Sequence, residues 1–120
     1  MTTDQTVNTF FEVLNTRDMD QMRDLLHENA ELYFPKTQPL IGKERILKFM
    51  NILFRQYPEL TFEVQRTICQ GSQAAVHWTN NGRSRRDEPY RNEGVTILEM
   101  LDDKTIFISD FFKDTEKFLK

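Results

Sequence analysis

Apolar residues change their spacing near residue 60, and this switch restricts the chain to few architectures. Before it, Val7, Phe10, Phe11 and Leu14 recur at helical intervals, and Met22, Leu25 and Leu26 form a second short set. A longer set follows: Ile46, Leu47, Phe49, Met50, Ile52, Leu53, Phe54 and Tyr57, closed by Pro58. After residue 60 the period is two. Phe62, Val64 and Ile68 alternate with Glu63, Gln65 and Thr67, and Val76, Trp78 and Asn80 alternate with Ala75, His77 and Thr79. Helices first and an antiparallel meander afterwards make an α+β domain.

The punctuation agrees with that division. Thr3 or Asp4 caps the first helix. Asn15-Thr16-Arg17 interrupts it, and Asp18 opens the second helix with Gln21 at capping-box spacing. Ala30–Pro35 reads as a short strand, ended by a proline that cannot donate to a ladder. Residues 36–42 read as a loop, and the third helix runs from about Lys43 to Tyr57. Gln70-Gly71-Ser72-Gln73 is a hairpin turn, 81–89 a polar connection, Tyr90–Leu101 a strand, Asp102-Asp103 a turn and Thr105–Phe112 the last strand. Asp114–Lys120 closes the chain as one turn or short helix. The 120 residues suit a single domain, 1–120, with one core.

Charge and cysteine usage narrow the function classes. There are 16 basic and 19 acidic side chains, net −3, so no basic excess suits a general nucleic-acid partner. The most basic stretch, Gly82–Arg91, is diluted by Asp87 and Glu88 and reads as a solvated turn. The single Cys69 has no internal partner, which fits a reducing cytoplasm. No signal peptide and no membrane span are expected, since no apolar run approaches the required ~18 residues. Two isolated histidines, His27 and His77, with one cysteine offer no metal spacing, and Gly71, Gly82 and Gly94 form no phosphate loop. No cofactor is implied.

Ten Phe against one Trp and three Tyr can line more apolar volume than a small core needs. Phe10, Phe34, Phe49, Met50 and Leu53 are therefore core or pocket lining, and the pattern leaves both open. On the last strand Ile106, Ile108 and Phe112 fall on one face and Phe107 and Phe111 on the other. Both faces are apolar, so a second copy covering the outer one, a homodimer through the sheet, is expected. Asp110 lies amid these residues. It is either the polar feature of an apolar pocket or a carboxylate tied to a neighbour or the rim. Arg66 shares the alternation slot of Phe62, Val64 and Ile68, so it is either a partner for Asp110 or an anionic ligand, or a strand-end cation reaching water.

Several strings resemble one family: Phe-Phe-Glu-Val-Leu-Asn-Thr-Arg-Asp-Met-Asp at 10–20, Leu-Ile-Gly-Lys-Glu-Arg-Ile at 40–46, Ala-Val-His-Trp-Thr at 75–79 and Ile-Ser-Asp-Phe-Phe-Lys-Asp at 108–114. Together with the element order they resemble the nuclear transport factor 2-like cone, and within it the SnoaL-like group related to polyketide cyclases and ketosteroid isomerases. The resemblance implies three N-terminal helices on a curved, mostly antiparallel sheet that wraps a pocket. Where the isomerases carry their general base, just before the proline ending the first strand, this chain has Phe34. Where they carry a donor tyrosine on the first helix it has Phe10, and their assisting Asp falls near Thr96. The cyclases place an acid/base Asp on the last strand, matched by Asp110, and a tryptophan matched by Trp78. Their histidine falls again near Thr96. The resemblance therefore implies a small, largely apolar, carbonyl- or hydroxyl-bearing ligand, with Asp110 moving a proton. The alternative is a non-catalytic ligand-binding or accessory dimer module, since the isomerase groups and the cyclase histidine are missing.

Overall fold

The computed structural model describes residues 2–114. Three helices, α1 (Thr3–Thr16), α2 (Met19–Leu25) and α3 (Lys43–Gln56), pack on one sheet. Its strands are β1 (Leu26–Tyr33), β2 (Leu40–Ile41), β3 (Thr61–Gln70), β4 (Gln73–Arg83), β5 (Pro89–Leu101) and β6 (Lys104–Phe112), in the spatial order β2-β1-β6-β5-β4-β3. Only the β1–β6 pairing is parallel. The expected closing turn at 114–120 lies outside the described residues beyond Asp114.

Local chemistry sets the boundaries. The first cap falls on Thr2 rather than on Thr3 or Asp4. Thr2 accepts from the Gln5 N–H while the Gln5 side chain accepts from the Thr2 N–H, a complete capping box. Asp18 accepts from the Gln21 N–H, as its spacing predicts. Between these helices Arg17 adopts a left-handed backbone, φ 63°, and its guanidinium reaches across to α3. There it donates to the carbonyls of Phe54, Tyr57 and Leu60 at 3.3, 3.0 and 2.9 Å. A cation thus joins the Phe54 carbonyl, in the last turn of α3, to the Tyr57 and Leu60 carbonyls of the turn that follows it.

The first strand is longer than the sequence pattern suggests. It starts at Leu26, and the loop after it contributes the two-residue β2. Strands β4 and β5 also extend further, leaving only 84–88 as their connection. Asp102 and Asp103 both take positive φ, 53° and 62°, the requirement of a two-residue type I′ hairpin.

Two bulges shift the alternation of faces. The register of β3 slips between Val64 and Arg66, so Arg66 pairs with His77 and Ile68 with Ala75. On β6 the slip puts Phe107 opposite Glu99 and Thr105 opposite Met100, leaving Ile106 out of the ladder. Thr105 rather than Ile106 is therefore the fully buried residue at that end. The inner face carries Val76, Trp78, Leu98 and Ile108 against Val7, Phe10, Met22, Ile46, Met50 and Phe54 of the helices. Among the described residues no helix is long and apolar enough to cross a membrane.

Candidate functional site

The site grows from two cross-strand rows of the inner face. In one row Asp110 pairs with Thr96, and Thr96 with Val76. In the next, Phe112 pairs with Gly94, and Gly94 with Trp78. Gly94 is required here by space. A Cβ at that position would lie 2.8 Å from the Trp78 ring and 2.3 Å from the Phe111 carbonyl oxygen. The bare strand lets the indole lie across β5, with its ring 5.3 Å from Phe112 and its N–H directed at Thr96.

The hydrogen bonds have one possible direction. An indole nitrogen can only donate, so Trp78 Nε1 donates to Thr96 Oγ1 at 2.8 Å. The single hydroxyl proton of Thr96 then goes to Asp110 Oδ1 at 2.5 Å. Asp110 Oδ2 has no hydrogen-bond partner among the described residues. Burial in apolar surroundings pushes the Asp110 carboxyl up to about 6, and the Thr96 bond pulls partly against this. When Asp110 is protonated, the proton belongs on Oδ2, because Oδ1 is already an acceptor.

These groups border a cavity of about 50 Å³ enclosed between the helices and the sheet. Among the described residues its polar lining is Asn80, Thr96 and Asp110, and Asp110 is the one ionisable side chain. The remainder is apolar and mostly aromatic. Edge-to-face contacts run continuously from Phe10 through Phe11, Phe62, Trp78, Phe112 and Phe34 to Phe49, with centroids 4.9–6.2 Å apart. At 50 Å³ the cavity holds a few water-sized volumes. Asp110, Phe34 and Phe112 also border an outer groove of about 320 Å³ with Tyr33, Pro35, Ser109 and Phe111. The edge-on pair Phe34–Phe112, 5.0 Å between centroids, stands between groove and cavity.

The family profile of the SnoaL-like domain matches residues 7–107. The chain belongs to this family. Among solved structures it is similar to a protein of Jannaschia sp. CCS1 proposed to be a SnoaL-like polyketide cyclase, with TM-score 0.84 and 20% identity over 92% of this chain and 85% of the other. It is similar also to a nuclear transport factor 2-like protein of unknown function from Burkholderia pseudomallei K96243, with TM-score 0.87 and 16% identity over 96% and 92%. A proposed ketosteroid isomerase of Kribbella flavida DSM 17836 matches with TM-score 0.76 and 25% identity over 94% and 78%. A search of curated proteins returns no match.

In this SnoaL-like domain Phe10, Phe34, Phe49, Met50, Leu53, Trp78, Thr96 and Asp110 all line the one cavity. Arg66 does not. Simple alternation put it in the slot of Phe62 and Val64, but the β3 bulge turns it to the outer face opposite His77, where it is exposed. It therefore lies on the opposite side of the sheet from Asp110. His77 is on that outer face too, bonded to Glu93, which also takes Lys113 Nζ at 3.0 Å. Lys113 first and His77 second hold the Glu93 carboxyl below its ordinary value. Cys69 is exposed, and desolvation with the nearby Asp4 pushes its thiol up, away from thiolate chemistry. Among the described residues no group of three His, Cys, Asp or Glu is placed to hold a metal ion. The residue that sequence reasoning passed over is Asn80. Its signal was present, since it shares the alternation slot of Trp78, but nothing in the spacing marks it as unpaired.

Proposed function

We propose that this SnoaL-like domain binds a small, largely apolar molecule bearing a carbonyl or hydroxyl group, and that Asp110 moves a proton on it. The observation that carries the reading is Asp110 itself: a carboxyl pushed up to about 6, held at Oδ1 by Thr96 and bordering an aromatic cavity. A group titrating near neutrality serves both as base and as acid. Oδ2 would take a proton from carbon adjacent to a carbonyl and return it elsewhere on the same molecule, without net consumption. The aromatic rings would orient the substrate and exclude water, which keeps Asp110 desolvated.

The decisive experiment follows exchange of acidic carbon-bound protons for deuterium by NMR, with a set of apolar ketones, in the wild type and Asp110→Asn. Exchange accelerated by the wild type alone supports the reading. Equal exchange in both proteins sinks Asp110 as the acid/base. Trp78 is the chain's one tryptophan, so its fluorescence reports binding separately from turnover.

A second reading is a non-catalytic ligand-binding or accessory module. It is favoured by the absence of a second ionisable side chain among the described residues of the cavity lining, and by phenylalanines at 10 and 34 where the isomerases have their donor and base. Ligand binding without exchange would select it. In either reading we place the protein in the cytoplasm as a homodimer through the outer face of the sheet.

A further inference from the structure

Asn80 and Asn92 are cross-strand partners on the inner face, and they are employed very differently. Asn92 donates to the Tyr90 hydroxyl at 2.9 Å and the Asp114 carbonyl at 2.8 Å, and it accepts from the Glu93 and Asp114 N–H groups. It locks the ends of β5 and β6 together. Asn80 is as deeply placed, 4% exposed, yet its Oδ1 is buried with no partner among the described residues. Buried amides in folded proteins are nearly always bonded, so an unpaired one asks what it is for. Asn80 borders the same cavity as Asp110.

The sheet register says where each lies. Asp110 belongs to the row with Thr96 and Val76, and Asn80 is four residues further along β4. That is roughly 13 Å along the strands and about 10 Å across two of them, measured at the backbone of a flat sheet. Curvature and converging side chains shorten this at the tips. The Trp78 ring occupies the row between them. The cavity therefore has a polar group at each end and aromatic walls along its length. Its 50 Å³ must widen to take more than a few waters, and the Phe34–Phe112 pair that divides it from the 320 Å³ outer groove is where it can open.

We propose that Asn80 is the second polar contact of the ligand site, and that the ligand is an elongated apolar molecule with an oxygen function at both ends, one meeting Asp110 and the other the Asn80 amide. This rests on the cavity being a ligand site, and it goes further in naming the shape and polarity of what enters. The unpaired atom is the Oδ1 acceptor, so the far group is a donor, a hydroxyl. A one-ended molecule would leave the amide unpaired and bind more weakly.

The test is calorimetric titration of three probes with one ring system: naphthalene, 2-naphthol and 2,6-dihydroxynaphthalene. The proteins are wild type, Asn80→Leu and, as a smaller substitution, Asn80→Ala. Each variant is checked first for an intact fold by the amide spectrum. The wild type is expected to bind the dihydroxy compound about tenfold tighter than 2-naphthol, the value of one additional hydrogen bond. In both variants that preference vanishes, the ratio of dihydroxy to 2-naphthol affinity falling to about one, since the far contact is lost. If 2-naphthol binds but the second hydroxyl adds nothing, or if the variants keep the preference, the two-ended ligand is wrong while the cavity reading stands. If no probe binds the wild type, the ligand-site reading and this inference fall together.

Discussion

Thr96 donates its only hydroxyl proton to Asp110 Oδ1 at 2.5 Å, and it does so because the Trp78 indole leaves it no other choice of direction. A buried indole N–H, placed by a glycine on the neighbouring strand, thereby decides which oxygen of a carboxyl two strands away stays open. The rotamer and the site of protonation of Asp110 follow from this chain of two bonds.

Replacing Thr96 by valine keeps the shape and removes the relay. The Thr96 bond draws the Asp110 carboxyl down against desolvation, so Thr96→Val is expected to raise the Asp110 pKa above about 6. Titration of the side-chain carboxyl carbon by NMR measures this directly, and a lower value would contradict the relay. The indole N–H also loses its acceptor, so stability is expected to fall by roughly 1–3 kcal/mol in denaturant unfolding. A bell-shaped rate profile, if turnover is found, should move its acidic limb upward by the same amount.

The raised pKa of Asp110 makes it a stability cost at neutral pH. Its ordinary value is 3.8, and in the folded chain it is pushed up to about 6, so the folded state keeps a proton that the unfolded state has lost. Between these values stability falls as pH rises, and above about 6 the whole cost is present. That cost is at most about 3 kcal/mol, less whatever residual solvent contact screens. Asp110→Asn should therefore unfold at higher denaturant than the wild type near pH 7.5, with the gap closing toward pH 4. A variant equally stable at both pH values would mean that Asp110 is not desolvated.

Much of this was legible in the sequence, and the parts that were not have common physical causes. The helical and two-residue periods are set by which face is buried, so they reported the elements, the α+β class and the shared face of Val76, Trp78 and Asn80, while leaving open what Asp110 meets. Bulges break that correspondence, because one extra residue reverses every later side chain without altering composition. The bulge in β3 is why Arg66 was placed on the wrong face, and the slip in β6 is why Ile106 was read as inner. The pairing of β1 with β6 joins residues far apart in the chain, and no local pattern carries it. Hydrogen-bond satisfaction is likewise invisible in spacing. Asn80 and Asn92 look alike in sequence, and only the folded contacts separate a structural asparagine from an unpaired one.

Arg17 is a further case of tertiary information concealed in an ordinary residue. Its bonds to the Phe54 carbonyl in the last turn of α3 and to the Tyr57 and Leu60 carbonyls beyond it, with its guanidinium 4.8 Å from the Phe54 ring centroid, tie the α1–α2 turn to the segment that leads into β3. Arg17→Ala leaves those carbonyls to water and removes the cation from a helix C-terminus, so a loss of roughly 2–4 kcal/mol is expected. Arg17→Lys should recover only part of it, since one ammonium cannot serve three acceptors with the reach of a planar fork. Urea unfolding of the three proteins checks both statements, and an unchanged midpoint for Arg17→Ala would refute the capping role.

The outer face of the sheet provides the assembly prediction. One row across it runs Phe111, Val95, His77 and Arg66, and the next Ser109, Ile97, Ala75 and Ile68. Phe111 is 59% exposed and Ile68 61%. The helices lie on the opposite face, so among the described residues these apolar side chains have no intrachain cover, and a second copy of the same face would bury them symmetrically. Sedimentation at micromolar concentration is expected to give about twice the 14.4 kDa chain mass. Phe111→Glu would set like charges against each other near the contact and should return the monomer while the unfolding midpoint at high dilution stays unchanged, because the residue contributes little to the core of one chain. A wild type that sediments as a single chain at that concentration would refute the dimer.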